Sequence, residues 1–185
     1  VNIQTPIKSI AAGLTDKHRL RWLELKNGLL GQFPTVTIQL PPDDLVDQMV
    51  IGCQPAQLLE LLIYLKEKAG FDFLTDLTAT DELPREPRFD VVYQLMSTQG
   101  LVRLRVKCKA DQLLPSIVPH FPAADWAERE VFDMFGIIFE NHPDLRRILM
   151  HESWEGFPLR KDYPLKGYQV ITQAMRPNPE RFHES

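Results

Sequence analysis

The residues best equipped for chemistry lie in one short stretch, Asp125-Trp126-Ala127-Glu128-Arg129-Glu130-Val131-Phe132-Asp133-Met134-Phe135, where carboxylates crowd around a single arginine. Carboxylates at this density raise the question of general acid–base work on a shared atom. Read as a helix, the stretch gives a negative answer, because successive positions turn by about 100° and only Glu130 and Asp133 share a face. Glu128, Glu130 and Asp133 therefore do not converge on one reacting atom, and nothing else supports paired-carboxylate catalysis. Arg129 and Asp133, four apart, more simply form a surface ion pair.

The other chemistry-bearing residues are dispersed. His18, His120, His142, His151 and His183 occur singly. Glu180 and His183 make an ExxH, half of a di-iron ligand pattern, without the second ExxH and the two further helical carboxylates that such a site requires. His142 and His151 flank a basic run, where a histidine polarises a carbonyl, relays a proton or serves structure and interface. Cys53 and Cys108 lie outside any CxxC and read as two buried thiols in a reducing compartment, against a disulfide or a metal site. There is no GxGxxG after a strand, no phosphate loop, no cysteine spacing for an iron–sulfur cluster and no HExxH. No cofactor or metal is expected on this chain.

What positions the carboxylates is a helix over 125–135. Asp125 and Glu128 have the spacing of a capping box, and Gly136 supplies the stop. Ala127, Val131, Phe132, Met134 and Phe135 fall in an apolar arc, with Arg129, Glu130 and Asp133 opposite. Glu128 and Trp126 break that division. Either Glu128 is a cap that reaches out to water and Trp126 stacks on Arg129, or the helix is buried on both sides, once by its own domain and once by a partner. In the second case Glu128 needs an arginine, since an unpaired buried carboxylate is costly.

Downstream, the stretches from His142 to Leu149 and from Trp154 to Pro164 mix Arg146, Arg147, Arg160, Lys161 and Asp162 with Trp154, Phe157 and Tyr163 among prolines. Tryptophan, tyrosine and arginine dominate interface energetics, and proline lowers the entropy lost in ordering an extended chain. An arm laid on a partner is expected, with Arg146, Arg147, Arg160 and Lys161 locking it down and one arginine reaching Glu128.

The upstream elements read as an α+β domain. A helix is expected over 15–28, strands over 35–40 and 47–53 as a hairpin, and a helix from Pro55 with Leu58, Leu59, Leu61, Leu62 and Leu65 on one stripe, stopped at Gly70. Alternation then marks strands carrying Phe71, Phe73, Thr75, Leu77 and Ala79, and Phe89, Val91, Tyr93 and Leu95, before a turn and a strand over 101–109. In that last strand Val102, Leu104, Val106 and Cys108 face the core, while Arg103, Arg105, Lys107 and Lys109 form a basic face expected to meet an acidic partner surface or carboxylates such as Asp90. The resulting fold is an antiparallel sheet packed on helices, followed by the 125–135 helix and a long extended C-terminal region. Its divisions are an arm over 1–14, the domain over 15–136 and an interaction arm over 137–185.

With 185 residues, 44% apolar, 25% charged and a net charge of −4, the chain has a core and no cationic surplus for nucleic acid. No apolar run reaches the roughly 20 residues of a spanning helix, and no basic segment followed by an apolar one opens the chain. The expectation is a cytoplasmic protein that touches membrane only through partners.

Three linked motifs, Glu128-Arg129-Glu130-Val131-Phe132-Asp133-Met134-Phe135-Gly136, the His142–Leu149 run and Trp154–Pro164, resemble those of the 30 kDa (C) subunit family of proton-pumping NADH:quinone oxidoreductase, respiratory complex I. Gly70 to Asp81 resembles the family's first core strand, and the likeness covers roughly residues 47 to 168. The resemblance implies a peripheral-arm protein on the cytoplasmic or matrix face with no cofactor of its own. FMN and iron–sulfur clusters would sit on partner subunits, and the main contact would be the 49 kDa (D) subunit, which helps form the quinone site. The equivalent subunit of a membrane-bound hydrogenase or of a ferredoxin/plastoquinone-type oxidoreductase is the alternative, as is a gating role near quinone through His142 or His151.

Overall fold

The structure, a computed structural model, describes residues 20–40, 48–166 and 169. The expected arm over 1–14 and the Glu180–His183 pair lie outside them. Helix α1 covers residues 20–32 and runs through Gly28, so the expected stop there is overturned. Strands β1 (Thr37–Gln39) and β2 (Gln48–Cys53) precede α2 (Pro55–Glu67), and β3 (Phe73–Asp81), β4 (Phe89–Ser97) and β5 (Val102–Ala110) follow it. They build one sheet in the order β1-β2-β5-β4-β3.

The α+β class holds, with one difference in the sheet. β1 and β2 form the expected antiparallel pair, Ile38 opposite Ile51. β2 and β5, however, run parallel, with Met49 opposite Leu104 and Ile51 opposite Val106. Parallel neighbours need a long connection, and α2 lies within it; no local pattern announces a pairing between strands so far apart in sequence. The same register sets Cys53 opposite Cys108, both buried and reduced.

The chain forms two compact units, one from Val1–Asp76 and Val92–Lys109, the other from Leu77–Val91 and Ala110–Ser185. In the first, α2 begins at Pro55, where a missing N–H costs nothing, and buries Leu58, Leu61, Leu62 and Leu65. Burial in β5 alternates as expected: Val102, Leu104, Val106 and Cys108 are inside, and Arg103 and Lys109 are exposed. Trp22 stacks on Phe71 with centroids 6.1 Å apart, and Phe33 meets Tyr64 edge-on at 5.6 Å. In β3 the expected alternation slips. Leu74 and Leu77 are buried and Phe73 is 47% exposed, so the inward set changes parity between them.

In the second unit, β6 (Leu113–Pro115) and β7 (Ile138–Glu140) pair in parallel, joined through α3 (Ala124–Phe135). From Asn141 to Lys166 the chain has neither helix nor strand, in keeping with the extended region expected there. It folds back on its own unit: Leu159 donates to the Met134 carbonyl at 3.1 Å and the Lys161 N–H to Asp81 at 2.8 Å.

Candidate functional site

α3 begins without a side-chain cap and ends at Gly136, whose φ of +73° favours glycine and whose N–H donates to Phe132. The capping box is overturned, because Glu128 points elsewhere. Its side chain is fully buried, and its two oxygens accept from the Ser116 hydroxyl and the Ile117 N–H, each at 2.7 Å. It thus holds the turn that leads out of β6. Among the described residues no arginine reaches it, so the expected arginine contact to Glu128 is overturned. Burial pushes its carboxyl up to about 7, the Ile117 and Ser116 donors offset part of that rise, and the Asp125 charge adds to it.

His142 completes this cluster. Its ring is fully buried, with Nε2 3.1 Å from the Asp125 carbonyl, 3.4 Å from the Asp125 carboxylate and 3.9 Å from Glu128. Nδ1 accepts the Asp144 N–H at 3.0 Å, which leaves Nε2 to carry the proton donated to the Asp125 carbonyl. His151 closes a local turn, its Nδ1 accepting the Ser153 N–H.

Asp133, expected on the polar arc in a surface ion pair with Arg129, is instead fully buried, because the chain after α3 covers it, and organises that chain. Oδ1 pairs with Arg147 at 2.6 Å, and Oδ2 accepts three successive N–H groups, Ile148 at 3.0, Leu149 at 2.7 and Met150 at 2.8 Å. Burial alone would raise its pKa. The Met150 and Leu149 donors, Arg147 and Ile148 outweigh that and hold it below the usual carboxylate range. The arginine lock expected at Glu128 is therefore made at Asp133, one turn and a residue further along α3. Arg147 also donates to the Gly156 carbonyl at 3.0 Å and lies over Phe157.

A second anchor was not expected from the sequence. Arg88 clamps Asp81 through Nε at 3.0 and Nη2 at 2.6 Å, and reaches Asp162 through Nη1 at 3.0 and Nη2 at 2.7 Å. The Arg88 hydrogen bond, outweighing burial, holds Asp81 well below its ordinary pKa, helped by the Lys161 and Leu83 N–H groups. Asp81 follows Leu77 and Ala79 at inward positions of β3. A carboxylate on the core side of an alternating strand is the signal that would have found it. Asp90, offered to the β5 cations by the sequence, pairs with Arg85 instead.

The remaining expected residues are spread over the surface of this unit. Trp126 is 70% exposed, and Glu130 is exposed on α3. Arg129 donates to the Arg146 carbonyl at 3.3 Å, and Arg146 pairs with Asp144. Phe157 meets Phe132 edge-on, Tyr163 accepts from Gln169 at 3.2 Å, and Trp154 is half-buried. Arg160 donates to the Phe135 carbonyl at 2.5 Å, and the Lys161 side chain lies 3.5 Å from the Leu83 carbonyl. Among the described residues no three His, Cys, Asp or Glu side chains are grouped to hold a metal, and no helix is long and apolar enough to cross a membrane. The arrangement anchors irregular chain through buried carboxylates.

Comparison with known proteins gives this arrangement relatives. Residues 51–169 match the family described as respiratory-chain NADH dehydrogenase, 30 Kd subunit. The C subunit of NADH-quinone oxidoreductase from Brucella ovis is 51% identical over 124 residues, 64% of this chain and 61% of that protein. The chain thus matches less than two thirds of that relative's length. The protein of the same name from Citrifermentans bemidjiense is 48% identical over 123 residues, 65% of this chain and 76% of its own. Among solved structures, the trypsin-resistant fragment of Nqo5 aligns with a TM-score of 0.58 and 29% identity over 68% of this chain and 99% of the fragment. A chain of an archaeal membrane-bound sulfane sulfur reductase aligns with a TM-score of 0.66 over 77% of this chain and 85% of its own; at 23% identity this likeness is one of fold.

Proposed function

The chain belongs to the respiratory-chain NADH dehydrogenase 30 Kd subunit family, and from that membership we propose that it is a cofactor-free structural subunit of an NADH:quinone oxidoreductase. It would stand in the peripheral arm on the cytoplasmic or matrix face and pack against the 49 kDa subunit that helps form the quinone site. FMN and iron–sulfur clusters would reside on other subunits, and this chain would keep the electron-carrying subunits in register while electrons pass from NADH to quinone.

One observation supports this reading above the others: the two fully buried carboxylates of α3 are engaged by the Ser116 hydroxyl and Ile117 N–H and by the backbone N–H groups of 148–150, where they shape chain rather than face a reacting atom. The surface they shape carries exposed Trp126, a residue type enriched at interface hot spots, with exposed Leu149 and Leu159 as further apolar area. A gating role for His142 has less support, since both ring nitrogens are engaged inside the unit.

Affinity capture of the tagged chain from native membranes tests the proposal. It should bring down an assembly that oxidises NADH and reduces quinone, with the 49 kDa subunit among its components. A chain that purifies alone with stoichiometric flavin, iron or zinc overturns the reading.

A further inference from the structure

Near the end of the described chain, Arg160 lacks a direct counter-ion. Its Nε donates to the Phe135 carbonyl, and its guanidinium lies 4.4 Å from the centroid of Phe157 and 5.5 Å from that of Phe89. Those contacts orient the fork without neutralising it. Arg147 has Asp133, and Arg88 holds both Asp81 and Asp162. Among the described residues no carboxylate stands within ion-pair distance of Arg160, and its two terminal nitrogens have no hydrogen-bond partner. Burial and the nearby Arg88 cation outweigh the more distant Asp162 and Asp81 carboxylates and hold its pKa below the ordinary guanidinium value. Gly136 keeps the place open: a Cβ there would come within 2.6 Å of Arg160 Nη2 and 2.5 Å of the Phe157 ring.

Arg160 lines a cavity of about 330 Å³ shared with Gly156, Phe157, Asp162, Tyr163 and Pro164. Leu159, 54% exposed, and Leu165, fully exposed, flank this segment in the chain. A half-buried cation without a direct counter-ion, in a cavity whose segment carries exposed leucines at either end, suits an acidic side chain delivered by a protein surface. Asp162 on the same rim, already paired with Arg88, repels a phosphate dianion more than a singly charged carboxylate, and the carboxylate matches the guanidinium fork.

We propose that the Arg160 cavity receives an aspartate or glutamate side chain of the subunit packed on this face, its carboxylate bridging the two terminal guanidinium nitrogens. The inference rests on the structural-subunit reading above and adds to it the point of attachment.

The test uses the assembled complex in native membranes carrying Arg160→Lys, treated with a zero-length carbodiimide that couples an amine only to a carboxylate in contact, with the untreated and wild-type complexes as controls for neighbouring Lys161. Mass spectrometry should find the introduced lysine joined to an aspartate or glutamate of a partner subunit. In parallel, Arg160→Gln should lower retention of the chain in the complex by about tenfold or more at physiological salt. Coupling only within this chain, or no coupling together with unchanged retention of Arg160→Gln, overturns the inference and leaves the reading intact. Failure of the wild-type chain to co-purify with any partner overturns the reading, and the inference with it. Should Arg160→Gln fail to fold, the cross-link from Arg160→Lys still decides.

Discussion

In β5 alternate side chains from Val102 to Cys108 are buried and ladder partners flank the strand on both sides, whereas from Arg147 to Lys161 there is no ladder and buried carboxylates gather the backbone N–H groups. The first region is held by area removed from water, which is non-directional and nearly indifferent to pH. The second depends on a few directed contacts to Asp133 and Asp81. Removing one methylene group from the first loses a little; removing one oxygen from the second strands several donors at once.

The comparison breaks most sharply at Asp133. Replacing it with alanine leaves Arg147 and three N–H groups without their acceptor and should cost about 3–5 kcal/mol in urea unfolding. The apolar counterpart, Leu62→Ala in α2, should cost about 2–4 kcal/mol and show little dependence on pH. If Asp133→Ala proves the milder change, the carboxylate anchoring is secondary.

pH sharpens the contrast because the buried acids carry opposite signs. Asp133 and Asp81 have depressed pKa values, so their contribution is full above the unfolded value of 3.8 and is lost as pH falls through the folded one. Glu128, raised from 4.5 to about 7, binds its proton more tightly folded than unfolded, so its effect is a loss of stability that grows as pH rises from 4.5 to 7 and then levels off. Glu128→Gln should therefore gain on wild type between pH 5 and 8 by about 2 kcal/mol, read from unfolding curves at the two pH values. Equal pH dependence in both proteins would mean that Glu128 is ionised throughout.

Smaller effects belong to geometry and to the surface. Gly136→Ala forces a Cβ into a left-handed position and against Arg160, and should cost about 1–2 kcal/mol in the same assay. Arg146→Ala removes an exposed pair with Asp144 and should cost under about 0.5 kcal/mol.

How far the sequence revealed these two regions follows from the range of the forces involved. Periodicity reports side-chain burial, so α2, the alternation of β5 and the stop at Gly136 were legible. It does not report which strands pair, and the parallel β2–β5 contact, with Cys53 opposite Cys108, was not. At Phe73 the alternation misled, because a change of parity within β3 leaves no mark in composition. In the carboxylate region the anomaly of Glu128 on the apolar arc was legible and its partner was not. A hydroxyl and an N–H of the β6 turn satisfy it, and backbone donors have no residue-type signature. Asp133 was read as exposed because a helical wheel assumes a single buried face, while the chain after α3 returns to cover the other.

Native-state hydrogen exchange at Ile148, Leu149 and Met150 tests most directly whether a buried carboxylate holds this stretch. These amides lie outside any helix or strand, yet in wild type they should exchange at least about a hundredfold more slowly than unprotected amides. In Asp133→Ala the protection should vanish there and persist in β5 between Val102 and Cys108. Rapid exchange of all three in wild type, or protection unchanged in Asp133→Ala, would contradict the account.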